Sequence, residues 1–447
     1  MTSDERISTA LRDATDTKSV VIGPGVISCV DDVFTSSFGA QPALIVADDN
    51  TFEAAGREAQ RRFVSAGRKP AEPFIFPGLP RLHADYRNFL ELEAALRAQD
   101  AIPVAVGSGT LNDMTKLAAH RCGLPYMVVA TAASMDGYTS FGAGITQDGF
   151  KQTFACPAPR AVLADLEILA LAPPQMTASG YADLLGKVTA GADWIIADVL
   201  GIEPIDKNAW SLVQDSLRTW VGSPERLRCG DLQAIGHLVE GLILVGLAMQ
   251  AHQSSRPASG SEHQFSHLWE MQNAADVSHG FKVGVGSIAV AALYERVLSR
   301  DPGSLDIPAI CHAWPTRDQV EQIVRQSHAL PILAEKAVGY SLAKYIDTEQ
   351  LSGRLALIRE RWPALRDRLE AQLLTAVQLS DMLQTAGCPT RPEQIGMDLP
   401  HLKDSYFRAR EIRSRYTIFD LAAETGWFAA CVDELFAPGG FWSRDAA

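Results

Sequence analysis

Three of the chain's ten histidines fall within 17 residues. His263 and His267 sit in "GSEHQFSHLWEM", and His279 follows in "VSHGFKVGVG". A spacing of four puts His263 and His267 on one face of a helix. The pair can bind a metal ion together, or one can bind while the other reaches a substrate. His279 follows after a gap long enough for a turn and a return. Spacing alone leaves surface histidines as an equal alternative. His83, His120, His237, His252, His312, His328 and His401 have no comparable partners and read as structural or solvent-facing.

A metal site still wants an oxygen ligand. The seven cysteines are scattered, odd in number and never in a C-x-x-C pair, so they form neither a disulfide framework nor a thiolate zinc knot. Asp183, in "TASGYADLLGKVTAGADWIIAD", is the best candidate. Its context is apolar, where a lone carboxylate is costly unless paired or metal-bound. One aspartate and two histidines leave coordination positions open, the pattern of a catalytic divalent ion. The alternative is a capping aspartate.

A second chemistry sits upstream. "VAVGSGTLNDMTKLAAH" places Gly107 and Gly109 between a strand and a helix, where backbone N–H groups and a helix N-terminus face an anion. The glycines allow close approach of a phosphate and any positive φ the turn needs. The third glycine of G-x-G-x-x-G is missing, so a plain strand-to-helix turn is equally compatible. The next strand feeds "ATAASMDGYTSFGAG", a loop crowded with small hydroxylated residues and carrying Asp136. Ligands of open α/β sheets bind beyond the carboxyl ends of the strands, where both loops belong. Asp48, ending "ALIVAD", could take a ribose diol and repel a 2′-phosphate, or be a turn residue like its neighbour Asp49.

The elements that must hold these residues follow from periodicity. Apolar runs at 19–27, 42–48, 74–78, 102–110, 124–131 and 160–169 read as strands, separated by polar helix-prone stretches. That alternation predicts a Rossmann-like parallel α/β domain over residues 1–172. After Pro173-Pro174 long amphipathic patterns dominate, at 181–200, 229–252, 284–300, 316–345 and 351–386. They predict a helical metal- and substrate-binding domain over 173–447, with 254–263 as a loop feeding the histidines.

Of the 447 residues 47% are hydrophobic and 21% charged, which suits a globular fold of more than one domain. A formal charge of −13 argues against a nucleic-acid partner. No apolar run reaches the ~20 residues of a membrane span, and 241–251 reads as a buried helix. The acidic N-terminus lacks the order of a signal peptide. A cytoplasmic protein with reduced cysteines is expected.

"GSGTLND", "TAASMDGYTS", "GYADLLGK", "SGSEHQFSHLWE" and "HGFKVGVG" together resemble the sn-glycerol-1-phosphate dehydrogenase family, especially its bacterial branch, from about residue 15 to beyond 300. That family is related to iron-containing polyol dehydrogenases and dehydroquinate synthases, and the resemblance implies a dehydroquinate synthase-like fold. It implies NAD(H) or NADP(H) held by Gly109, Thr110, Leu111, Asn112 and Asp113, by Thr131, Ala132, Ala133 and Ser134, by Ser140, and by Asp48 at the adenosine end. It implies a divalent metal on Asp183, His263 and His279, zinc first, with nickel or iron as alternatives. Asp136, Asp183 and His267 would meet the substrate. The implied reaction is reversible reduction of dihydroxyacetone phosphate, a small phosphorylated triose, to sn-glycerol 1-phosphate, in a homo-oligomer of at least two chains. The proton would come through metal-bound water or His267, and Lys151, Lys187 and Lys282 are open candidates for the phosphate.

Two related readings compete. Dehydroquinate synthases carry Glu at the first ligand and Gly before each histidine of the pair, whereas this chain has Asp183, Glu262 and Ser266. Glycerol dehydrogenases use Asp and two His without a phosphate site. A non-catalytic NAD-binding scaffold has no need of an open ligand set.

Overall fold

The apolar runs of the central strands reflect burial on both faces, while the edge strands are only partly buried. In the computed structural model, which describes residues 2–147, 150–272 and 277–443, β2 spans Ala43–Asp48. Its side chains alternate between two cores, with Ile45 and Ala47 in one and Leu44 and Val46 in the other. A sheet covered on both sides needs no polar face, hence the near-continuous hydrophobic stretches.

By contact the chain divides into two compact units. The first comprises residues 1–184, 207–258 and 385–387. Its six strands are β1 (Ser19–Gly23), β2, β3 (Phe74–Phe76), β4 (Ile102–Gly107), β5 (Met127–Ala130) and β8 (Ala161–Asp165). They run in the order β1-β8-β5-β4-β2-β3, and every pairing is parallel. Strand β3 follows β2 to one side, and β5 follows β4 to the other. The order therefore reverses between β2 and β4, the kind of switch point where such sheets bind ligands. Asp48 ends one of these strands and Gly107 the other.

An antiparallel hairpin, β6 (Ala143–Gln147) with β7 (Phe150–Phe154), was not anticipated. The 21-residue helix Leu232–His252 packs in this unit too. It is long and apolar enough to cross a membrane, but 78% of its apolar window is buried in the protein, as expected for 241–251. The contact division differs from a single cut at residue 173, because this helix and Lys207–Val221 pack with each other and with the first unit.

The second unit comprises residues 185–206, 259–384 and 388–447 and is helical. The amphipathic stretch at 316–345 is two helices, Arg317–Ser327 and Pro331–Ala343, interrupted where proline stops the ladder. The histidine segment forms the helix Ser261–Met271, and the helix His279–Leu298 packs against it. Gly286 permits this approach, and Gly260 permits that of the helix Lys187–Val199. A Cβ on Gly260 would stand 2.5 Å from a carboxylate oxygen of Asp193, and one on Gly286 would stand 2.8 Å from the carbonyl oxygen of Glu262.

Candidate functional site

The glycine turn of the first unit is as read from the sequence. Strand β4 ends at Gly107, Ser108 takes the N-cap position and the helix Gly109–Arg121 begins at once. Neither glycine has positive φ. Their reason is space. A Cβ on Gly107 would press on Leu111 at 2.4 Å, and one on Gly109 would meet Met135 at 3.0 Å. The Ser108 side chain makes no cap and accepts from none of the first helical N–H groups.

The loop after β5 is pinned to this helix by side chains. Lys116, buried, donates to the carbonyls of Gly137 at 3.1 Å, Ser140 at 2.9 Å and Gly142 at 3.0 Å. Asn112 donates to the Gly137 carbonyl at 3.3 Å and accepts from the Tyr126 hydroxyl at 3.0 Å. Asp113 accepts the Gly144 N–H at 3.0 Å. Asn112 and Asp113 thus brace the loop with their side chains. Thr131 ties the loop's start to β4 through a bond from its N–H to the Gly107 carbonyl, 3.1 Å. Ser140 closes a local turn onto Gly137. Asp48 is the N-cap of the next turn, accepting from Thr51 N–H at 2.8 Å, so it fills the turn role read for it as well as standing at the switch point.

Asp183 lies in the helix Pro174–Leu185 and is fully buried. Its Oδ2 accepts the backbone N–H of Asp136 at 3.0 Å, which joins a predicted ligand to a predicted substrate contact.

In the second unit the three histidine rings cluster. Centroids are 6.0 Å apart for His263 and His267, 5.3 Å for His263 and His279, and 5.9 Å for His267 and His279. Each ring has its Nδ1 against a carboxylate: His263 on Glu262 at 2.7 Å, His279 on Glu270 at 2.9 Å, His267 on Glu270 at 3.3 Å. An ionised carboxylate only accepts, so each Nδ1 carries the proton and each Nε2 presents a lone pair. Burial works to raise Glu262, but its bonds from His263 and the Gly260 backbone hold it below the usual carboxylate range. Burial pushes His267 down to about 3 against the opposing pull of Glu270, so its ring is neutral.

Around this cluster, Asp193 ties the elements together. It accepts from Ser261 N–H at 2.6 Å and Oγ at 2.7 Å, from the Tyr294 hydroxyl at 2.7 Å and from Ile418 N–H at 2.8 Å. Of the lysines considered for a phosphate, Lys187 and Lys282 are buried, and Lys282 lies three positions after His279 on the same helix. The side chain of Lys151 lies outside the described residues. A cavity of about 540 Å³ elsewhere in this unit is lined by Ile310, Trp314, Val324, Lys344 and Arg410 among others, and by no predicted site residue. Lys344 and Arg410 there share Asp420, at 2.8 and 2.9 Å.

Sequence comparison agrees with these motifs. Residues 21–173 match the family model described as iron-containing alcohol dehydrogenase. A glycerol-1-phosphate dehydrogenase (NAD(P)+) of Geobacillus stearothermophilus is 30% identical over 380 residues, 84% of this chain and 84% of that protein. The chain belongs to the glycerol-1-phosphate dehydrogenase family. A second member, from Halalkalibacterium halodurans, is 36% identical over 263 residues, and this match spans 58% of the chain and 66% of that relative's length. Among solved structures, maleylacetate reductase from Agrobacterium tumefaciens shares the fold with a TM-score of 0.60 at 15% identity, covering 94% of this chain and 96% of that one. A probable glycerol dehydrogenase from Sinorhizobium meliloti 1021 has a TM-score of 0.59, also at 15% identity, covering 94% and 98%. These family matches fit a nicotinamide dinucleotide and a divalent metal.

Sequence reasoning missed four residues that shape the site. Glu262 and Ser266 were noted only as departures from the dehydroquinate synthase pattern, yet each contacts a histidine Nδ1, Ser266 reaching His279 at 3.2 Å. Glu270 stands three positions after His267, a same-face spacing that could have exposed it. Lys116 follows Asp113 by three, the same signal.

Proposed function

We propose that this protein is a metal-dependent NAD(P)-linked dehydrogenase that reversibly reduces dihydroxyacetone phosphate to sn-glycerol 1-phosphate. The observation that carries the reading is the pair of histidines, His263 and His279, each with Nδ1 engaged by a carboxylate and Nε2 left as a ligand atom. Metal-binding imidazoles are held in this way. Asp183, fully buried in the first unit, is the carboxylate we take as the third ligand. Two imidazoles and a carboxylate suit zinc, nickel or ferrous iron, with zinc as the first candidate.

A divalent ion bound there supplies Lewis-acid polarisation of the ketone, and the dinucleotide supplies the hydride. The chain's residues do the rest. The helix N-terminus that begins at Gly109 would take the pyrophosphate on its backbone N–H groups. Asp48 at the switch point takes the ribose diol, while Thr131 to Ser134 and Ser140 border the nicotinamide half. Neutral His267 offers an Nε2 lone pair, so it receives a hydroxyl hydrogen of the triose and does not donate the proton. Asp136 would orient the substrate. Lys282, buried one turn from His279, is the phosphate handle we favour.

The test is NADH oxidation by the metal-loaded protein. Dihydroxyacetone phosphate should be reduced far faster than dihydroxyacetone, and chelation should abolish the rate until metal is restored. Equal rates on the two ketones would remove the phosphate from the account.

A further inference from the structure

Glu270 stands between two histidines to which the proposed function gives different work. Its Oε1 accepts from His279 Nδ1 at 2.9 Å and its Oε2 from His267 Nδ1 at 3.3 Å. We propose that Glu270 is a positioning residue that couples metal binding to substrate binding, by orienting the metal-ligand His279 and the substrate-contacting His267 with one carboxylate. The proposal rests on the reading of those two histidines given above.

The geometry constrains both rings at once. A neutral imidazole has one N–H, and a carboxylate that only accepts draws that N–H to itself. With Nδ1–H directed at Glu270, each ring must turn its Nε2 lone pair the other way, so one side chain sets two tautomers and two ring planes. The rings stand 5.9 Å apart and tilt by 33°, a spacing that one carboxylate bridges with an oxygen for each. Main-chain position adds rigidity. Glu270 and His267 share the helix Ser261–Met271, while His279 opens the next helix, so the carboxylate also joins the two helices at the site.

Glu262 is the contrast. Its Oε1 takes His263 Nδ1 at 2.7 Å and Gly260 N–H at 2.6 Å, and its Oε2 takes the Thr189 hydroxyl at 2.9 Å. Among the histidines these bonds reach His263 alone. Glu262 therefore orients a metal ligand without touching the substrate-contacting ring. Ser266, at 3.2 Å from His279 Nδ1, adds a second acceptor for His279 and none for His267. The carboxylates thus divide: Glu262 acts on the metal, and Glu270 acts on the metal and the substrate.

The experiment uses the full chain, stripped of metal and titrated with Zn²⁺ against a chromophoric chelator, followed by KM for dihydroxyacetone phosphate at saturating Zn²⁺. In Glu270→Gln a single acceptor oxygen remains, so the two imidazole N–H groups cannot both be served. Zn²⁺ affinity is expected to fall about 10- to 100-fold, and KM to rise even when the metal site is full. Glu262→Gln is expected to lose Zn²⁺ affinity with KM at saturating metal unchanged. Glu270→Asp, which keeps the charge but shortens the reach, should follow Glu270→Gln and guards against misfolding of one variant. An unchanged KM at saturating Zn²⁺ in both Glu270 variants would overturn the coupling, as would unchanged Zn²⁺ affinity. A wild-type protein that binds no Zn²⁺, Ni²⁺ or Fe²⁺ would instead overturn the metal reading itself.

Discussion

The backbone N–H of Asp136 donates to Oδ2 of Asp183 over 3.0 Å. One carboxylate oxygen of the buried aspartate thus braces the loop after β5, and the same residue is the carboxylate proposed to hold the metal. Asp183→Asn keeps the volume and replaces one oxygen by an amide. It should lose bound metal while the metal-free protein unfolds close to the wild-type midpoint. Metal content by mass spectrometry of purified protein checks this, and full occupancy in Asp183→Asn would remove it from the ligand set.

His263 and His267 share a helix face but should fail differently. His263→Ala removes a ligand and should release the metal. His267→Ala should keep the metal and show a raised KM or lowered turnover, as for a group that acts on bound ketose. Equal metal loss in the two variants would make His267 a ligand.

His267 also predicts a pH effect. Its folded value near 3 lies below the ordinary histidine value, so between the two the unfolded chain binds more protons. Stability of the metal-free protein should therefore fall as pH drops from about 6.5 towards 3, by up to about 1.4 kcal/mol per pH unit from this group. His267→Gln should flatten that slope by one proton. Urea unfolding at pH 4.5, 5.5 and 7 measures it, and identical slopes would contradict the neutral, half-buried ring.

Lys116 holds three carbonyls of the loop after β5. Lys116→Met leaves them unserved, which should cost on the order of 3 kcal/mol and raise the KM for NADH more than that for the ketose. A loss of stability under about 1 kcal/mol would mean that the loop is held by other bonds.

Asp48 combines a cap with a proposed cofactor contact. Asp48→Ser retains an N-cap oxygen and removes the charge, so stability should change little. The NADPH-to-NADH ratio of kcat/KM should rise about tenfold, the equivalent of about 1.4 kcal/mol. An unchanged ratio would leave Asp48 as a turn residue alone.

The sheet was legible because burial on both faces writes the central strands as apolar runs, and Gly107 and Gly109 marked the turn between β4 and its helix. The glycines' reason was not legible: crowding by Leu111 and Met135 is a tertiary fact, and the turn needs no positive φ at either glycine. The hairpin β6–β7 was missed: the small-residue loop took in its first two residues, and the Asp148-Gly149 turn signal in the sequence after it was not used. The contact units could not be read from composition, since Leu232–His252 looks like any apolar helix until its neighbours are known. At the histidines the metal-type spacing was visible, but Glu262 stood out only as a departure from a related family's pattern and Glu270 not at all. Only the fold shows them against Nδ1 atoms.

The configuration of the product tests the central claim most directly. Metal-loaded protein should convert dihydroxyacetone phosphate and NADH into glycerol phosphate that a stereospecific sn-glycerol-3-phosphate dehydrogenase cannot oxidise, the mark of sn-glycerol 1-phosphate. A product consumed by that enzyme, or no turnover with metal and cofactor both saturating, would contradict the account.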